Sequence, residues 1–236
     1  MGAIWRREWK SYFITPVGYV FMGVFLSLAA LMFYLSILRQ HSGDLPTFMG
    51  QIGYLWMLLS PILSMRLMAE DRQRGTDQLL YTSPASLISI VTGKYLAALT
   101  VMAMTALMTF VFVGVVAVYG TVYLPEIGVA YLGFMLQGAA FLSVGIYLSA
   151  LSKTPVTAAI FGFGANFLLW MMDLLADVLP KGAAVTVLRF LSIYQRTEPF
   201  LLGQLSLASI LYEISFVLVF LALTVHAADS RRYKGG

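Results

Sequence analysis

Six long apolar runs joined by short polar connections constrain this chain more than any other feature. They cover residues 17–38, 48–69, 95–119, 129–150, 156–173 and 207–227. A helix needs about 20 apolar residues to cross a hydrocarbon core of about 30 Å, and each run is near or above that length. The runs are continuous rather than alternating, which predicts helices and not the strands of a membrane barrel. Composition agrees. The chain is 60% apolar and 11% charged, where a soluble domain has about 45–50% and about 25%. That shortage of charge excludes a disordered chain, a nucleic-acid-binding domain and an ordinary soluble enzyme. The sequence therefore reads as an all-α membrane protein with six transmembrane helices.

An even number of spans puts both termini on one side, and the basic residues choose the side. With both ends cytoplasmic, Arg6, Arg7, Lys10, Arg66, Arg72, Arg74, Lys94, Lys153, Arg231, Arg232 and Lys234 face inward. Only Arg39, Lys181, Arg189 and Arg196 then face outward. This asymmetry obeys the positive-inside rule. The expectation is a multi-pass protein of the cytoplasmic (inner) membrane with both termini cytoplasmic. A cleaved leader is not expected, because the first apolar run is a full span without a small-residue cleavage site after it.

Most familiar chemistries are missing. The chain has no cysteine, and His41 and His226 lie far apart, so neither a thiolate nucleophile nor a metal site is expected. No phosphate-binding G-x-x-x-x-G-K-[ST] loop, H-E-x-x-H helix or G-x-S-x-G elbow occurs. Charges inside the spans are equally sparse, although an ionisable group at mid-bilayer is by default functional. Glu213, about two turns into span six, is the single buried-carboxylate candidate. It reads either as an interfacial carboxylate reaching Arg189 or Arg196, or as a contact in a transport path. Gln137 and Asn166 are the other polar path candidates. A carrier driven by protons or sodium usually needs more intramembrane polar chemistry than this, so the energy for any transport should arrive from elsewhere.

Three segments lie outside the spans. Residues 3–13 gather Trp5, Trp9, Tyr12 and Phe13 on one helical arc and Arg6, Arg7 and Lys10 on another, a pattern suited to the headgroup layer. Residues 1–16 read as an interfacial elbow helix, or as a basic anchor that sets topology. Residues 174–206 form the longest outer segment and predict one or two short helices that dip into the outer leaflet or cap the bundle. Residues 70–94 are the longest cytoplasmic connection and the most charged. Arg66 near the end of span two should pair with Glu70 one turn later. Gly75 permits a tight turn, and Ser83-Pro84 reads as a helix cap followed by proline at the first helical position. Residues 84–93 are expected to lie at the interface before span three. Pro61 removes a helix hydrogen bond in span two. The small residues Gly133, Gly138, Ala139, Ser143, Gly145 and Ser149 in span four, like Ala158, Ala159, Gly162 and Ala165 in span five, permit close helix approach.

Residues 61–84, PILSMRLMAEDRQRGTDQLLYTSP, followed by Gly93-Lys94, resemble the signature between spans two and three of ABC-2 type transporter permeases. The matching positions are Pro61, Met65-Arg66, Ala69-Glu70, the charged run Asp71 to Arg74, Gly75-Thr76, Leu79-Leu80 and Ser83-Pro84. Phe200, Gly203, Leu207 and the tail Ser230-Arg231-Arg232-Tyr233 fit as well, and the bare loops resemble the GldF-like branch. Gln78 departs from the pattern, where many members carry Glu. The resemblance implies one transmembrane domain over 1–236: elbow 1–16, spans one and two over 17–69, coupling region 70–94, spans three to five over 95–173, outer segment 174–206, and span six with its tail over 207–236. It implies a permease subunit of an ATP-driven exporter, paired with a second permease subunit, identical or different. Two separate ATP-binding subunits would carry ATP and Mg, and this chain would bind no cofactor. The coupling helix would meet the ATPase through Glu70, Asp71, Arg72, Arg74, Gly75, Thr76, Asp77, Gln78, Leu79, Leu80, Tyr81 and Pro84. Trp5, Arg6, Arg7, Trp9 and Lys10 would anchor the elbow in the lipid bilayer. An alternative is a bundle that transmits force through residues 174–206 to an extracytoplasmic partner and carries nothing.

Overall fold

A run of apolar residues in lipid must satisfy its own backbone groups, and in this computed structural model every such run is helical. Residues 2–41, 43–76, 86–119, 123–179 and 182–232 are described, and no strand occurs among them. Helix α1 is Gly2–Ile14, and α2, Val17–Phe33, passes into a π-helical turn at Tyr34–Leu38. Helices α3 (Leu45–Gln73), α4 (Leu87–Met108), α5 (Phe110–Tyr119), α6 (Leu124–Leu151) and α7 (Pro155–Val178) follow. Two short helices, α8 (Ala183–Leu191) and α9 (Ile193–Leu201), precede α10 (Leu207–Arg232). Among the described residues, six stretches are long and apolar enough to cross a membrane: Val17–Leu38, Leu45–Gln73, Leu87–Val118, Leu124–Leu151, Pro155–Val178 and Leu207–Arg231. They are the six runs of the sequence, the first unchanged and the other five longer overall.

Spans two and four form the centre. Within their most apolar windows 61% and 67% of residues are buried, against 17% for spans five and six, so the broad exposed apolar faces belong to the last two spans. The core is aromatic where α2, α3 and α6 meet. The Trp56 ring lies 4.5 Å from Phe25 and 5.1 Å from Phe134, centroid to centroid. Glycines on α6 make the close approach possible. A Cβ at Gly138 would sit 2.7 Å from Met102 Sδ, and one at Gly145 would fall on Ser64 Oγ. Gly162 of α7 likewise faces Pro61 of α3. The small residues at these positions pack inside the bundle.

The helix ends differ from the sequence expectations in two places. Span two does not stop at Ala69 but continues to Gln73, because Arg66 and Arg74 each pair with Glu70 at four-residue spacing and carry the charged run as helix. Span three begins at Leu87, capped by Ser86, whose side chain accepts from the Ser89 amide. Ser83 and Pro84 lie outside the described residues. The helix runs unbroken through Gly93 and Lys94, both buried, so residues 87–93 of the stretch expected at the interface form the first two turns of the same helix as span three. The break comes later. The Thr109 hydroxyl donates to the Ala106 carbonyl at 2.6 Å, and α4 ends there.

The remaining segments close the two ends of the bundle. Helix α1 packs beside α4 and the last turns of α3, at the end that carries residues 70–76. Helices α8 and α9 pack at the opposite end, where Phe200 lies against Gly133. Ser192 separates the two short helices and caps the second by accepting from the Gln195 amide.

Candidate functional site

The charged residues after span two form a connected base for the 70–94 segment. The Arg66 guanidinium donates to both oxygens of Glu70 at 2.5 and 3.0 Å and to the Thr15 hydroxyl at 2.9 Å. The turn between α1 and α2 is thereby tied to α3. Arg74 adds an ion pair to Glu70 at 2.6 Å. Arg72 points the other way and donates to the Ser152 carbonyl at 3.1 Å. The Ser149 hydroxyl lies 3.0 Å from the Ala69 amide and donates to the Met65 carbonyl. Spans two and four are therefore stitched together at this end.

Beyond α3 the chain turns at Gly75, whose φ of +68° is a conformation that glycine adopts without steric cost. Thr76 closes the turn, its amide donating to the Asp71 carbonyl at 2.9 Å and its hydroxyl to Asp71 Oδ1 at 3.3 Å. Of the sequence-predicted coupling residues, Glu70, Asp71, Arg74, Gly75 and Thr76 thus gather at the end of α3, while Arg72 beside them reaches Ser152. Asp77, Gln78, Leu79, Leu80, Tyr81 and Pro84 lie outside the described residues.

The apolar arc of α1 faces the bundle. Trp5 Nε1 donates to Thr100 Oγ1 at 3.0 Å, and the Tyr12 hydroxyl donates to the Leu63 carbonyl at 2.7 Å. Trp5 and Trp9 stack, and Trp9 meets Phe13 edge-on. Burial, with the Glu8 carboxylate nearby, pushes the Tyr12 phenol well above its ordinary range. Arg6, Arg7 and Lys10 lie on the exposed side. Glu8, which composition alone did not single out, reaches Lys94 at 3.2 Å. Lys94 is also paired with Asp71 at 2.7 Å and is only 1% exposed. The available signal was one acid inside a basic helix and one lysine at the start of an apolar run.

The three polar path candidates are not brought together. Asn166 donates to Ser60 Oγ at 3.0 Å, tying α7 to α3. Gln137 is buried against Gly53, where a Cβ would lie 2.6 Å from its Oε1. Glu213 is fully buried and accepts from the Thr197 hydroxyl at 3.2 Å, tying α10 to α9. Neither expected arginine pairs with it. Arg189 is taken by Asp177 at 3.0 Å, and the Arg196 guanidinium lies over Phe190 and Tyr212 at 5.3 and 4.9 Å, a cation–π arrangement. Beside α9, a cavity of about 530 Å³ is lined by Asp44, Glu126 and Glu198 with Tyr54 and Tyr194. Among the described residues no group of three or more His, Cys, Asp or Glu side chains is arranged to hold a metal ion.

Among the described residues, six helices long and apolar enough to cross a membrane, with paired charges at the end of the second, make a multi-pass membrane domain. Sequence comparison gives its family. The family model for the ABC-2 family transporter protein matches residues 52–228, from the first third of span two through nearly all of span six. No curated protein matches the chain. With three quarters of its length matched, the chain belongs to the ABC-2 transporter family and is a multi-pass membrane permease of an ABC transporter.

Proposed function

We propose that this chain is the path-forming subunit of an ATP-driven exporter and receives work through residues 70–84 from a separate ATP-binding subunit. Two such ATPases hold ATP and Mg, and a second permease subunit, a copy or a distinct chain, completes the path. Residues 70–94 and both termini face the cytoplasm, as the basic residues at that end require. Glu70, Asp71, Arg72, Arg74, Gly75 and Thr76 support the docking segment, Asp77 and Gln78 add polar contacts, and Leu79, Leu80 and Tyr81 provide its apolar anchor ahead of Pro84.

The observation that carries this reading is the helical continuity of span two into the charged network. Asp71 and Arg72 lie on the same unbroken helix as Trp56, so a push on the 70–76 base moves the most central aromatic of the bundle. The experiment is to replace Leu79 and Leu80 together with Asp and purify the complex. The ATPase is then lost from the purified permease, or remains with ATP-dependent transport abolished. Native co-purification with native transport would contradict the assignment.

A further inference from the structure

We propose that Lys94 is a positioning residue that yokes α1 to the coupling segment, so that α1 moves with the base of that segment during the ATPase cycle. The proposal rests on the coupling role of residues 70–84. Lys94 stands about two turns into α4, with its side chain enclosed. Its ammonium meets carboxylates from two other elements, Glu8 of α1 at 3.2 Å and Asp71 of α3 at 2.7 Å. Enclosing a charge needs compensation by paired groups, and here three elements separated by up to 86 positions in sequence supply it. Glu8 also pairs with Arg7 on its own helix, and the Asp71 carboxylate also receives Thr76, so Lys94 is the group that joins the two elements.

The connections on either side of this site give it direction. Asp71 holds Thr76 through its carbonyl and its carboxylate, so the turn that opens the 77–85 stretch bears directly on one partner of Lys94. Glu8 lies between Trp5 and Trp9, and Trp5 is itself bonded to Thr100 on α4. At the other end of α1, Thr15 receives a hydrogen bond from Arg66, which also grips Glu70. Helix α1 is thus held at two points to consecutive residues of α3, Glu70 and Asp71, through two cations. A helix resting on the bilayer needs no such attachment. One that must follow the coupling base does.

The chain has no cysteine, so spin labels can be placed at will. Lys10→Cys on the exposed side of α1 and Gln204→Cys on the exposed α9–α10 connection, at the opposite end of the bundle from the 70–76 base, supply the pair. The double-labelled permease is reconstituted with its ATPase, whose own cysteines are replaced, and inter-label distances are measured before and after trapping with ATP and vanadate. In the otherwise native chain the distance shifts on trapping. In K94M the shift is lost. In Glu8→Ala, where Lys94 keeps Asp71 as partner, the shift is also lost while ATPase co-purification and ATP hydrolysis stay at the native level. An unaltered shift in Glu8→Ala would overturn the proposal, as would loss of the ATPase from that variant, which would make Glu8 part of docking. Labels that fail to move in the native complex would overturn it too. If the ATPase is then still bound, the coupling reading survives and only the Lys94 assignment falls; if no ATPase binds, both fall.

Discussion

Thr197 and Tyr12 show how single hydroxyls anchor the two ends of this bundle. Glu213 has no exposed surface, and the Thr197 hydroxyl is its hydrogen-bond donor. Thr197→Val should destabilise the protein by about 1–3 kcal/mol, the range for stranding a buried polar group. Thermal unfolding in detergent measures this, and the same change in a Glu213→Gln background should cost less because the two residues are coupled. Tyr12 makes the opposite attachment, to the Leu63 carbonyl. Its phenol is held above the ordinary value, chiefly by burial. Folding therefore favours the neutral form, so its contribution is intact below about pH 10, where a free tyrosine ionises, and is lost as pH rises beyond that. Tyr12→Phe should lower stability at neutral pH and flatten the decline in alkali, read from unfolding midpoints between neutral pH and strong alkali.

Helices meet here through positions that tolerate only small side chains. On α6, Gly145 faces Ser64 so closely that Gly145→Ala forces a displacement and should cost about 1–3 kcal/mol. On α7, a Cβ at Gly164 meets open space. Gly164→Ala should be stabilising by about 0.4–1 kcal/mol, because it removes freedom from the unfolded chain. The opposite signs, compared in one unfolding assay, separate packing from propensity. The elements themselves were legible in the sequence, since a run of apolar residues is a local signal, and so was the Arg66–Glu70 pair at helical spacing. Their ends were less so. Span two outruns its apolar stretch because Glu70 is gripped from both sides along the helix. Two serines in Ser83-Pro84-Ala85-Ser86 compete as caps, and Ser86 caps the helix that is seen. Lys94 is legible only as a charge, because its partners Glu8 and Asp71 are brought to it by tertiary packing. Glu213 was legible as a buried acid but not as the partner of Thr197, for the same reason.

At the scale of the molecule, the charges and the apolar faces divide the work. Spans two and four are central and are joined at the end bearing residues 65–76 by Ser149, Ser152 and Arg72. Spans five and six present their apolar sides outward. In the proposed coupling, a force applied at residues 70–76 reaches the centre of the bundle before its periphery. The account stands on that segment touching a separate ATP-binding chain. A photo-crosslinking amino acid at Leu79, in the assembled native complex, tests this most directly. Irradiation should join the permease to an ATP-binding subunit in a band that Leu80→Asp abolishes. A complex in which position 79 crosslinks only to lipid, or can be labelled from outside intact cells, would contradict it.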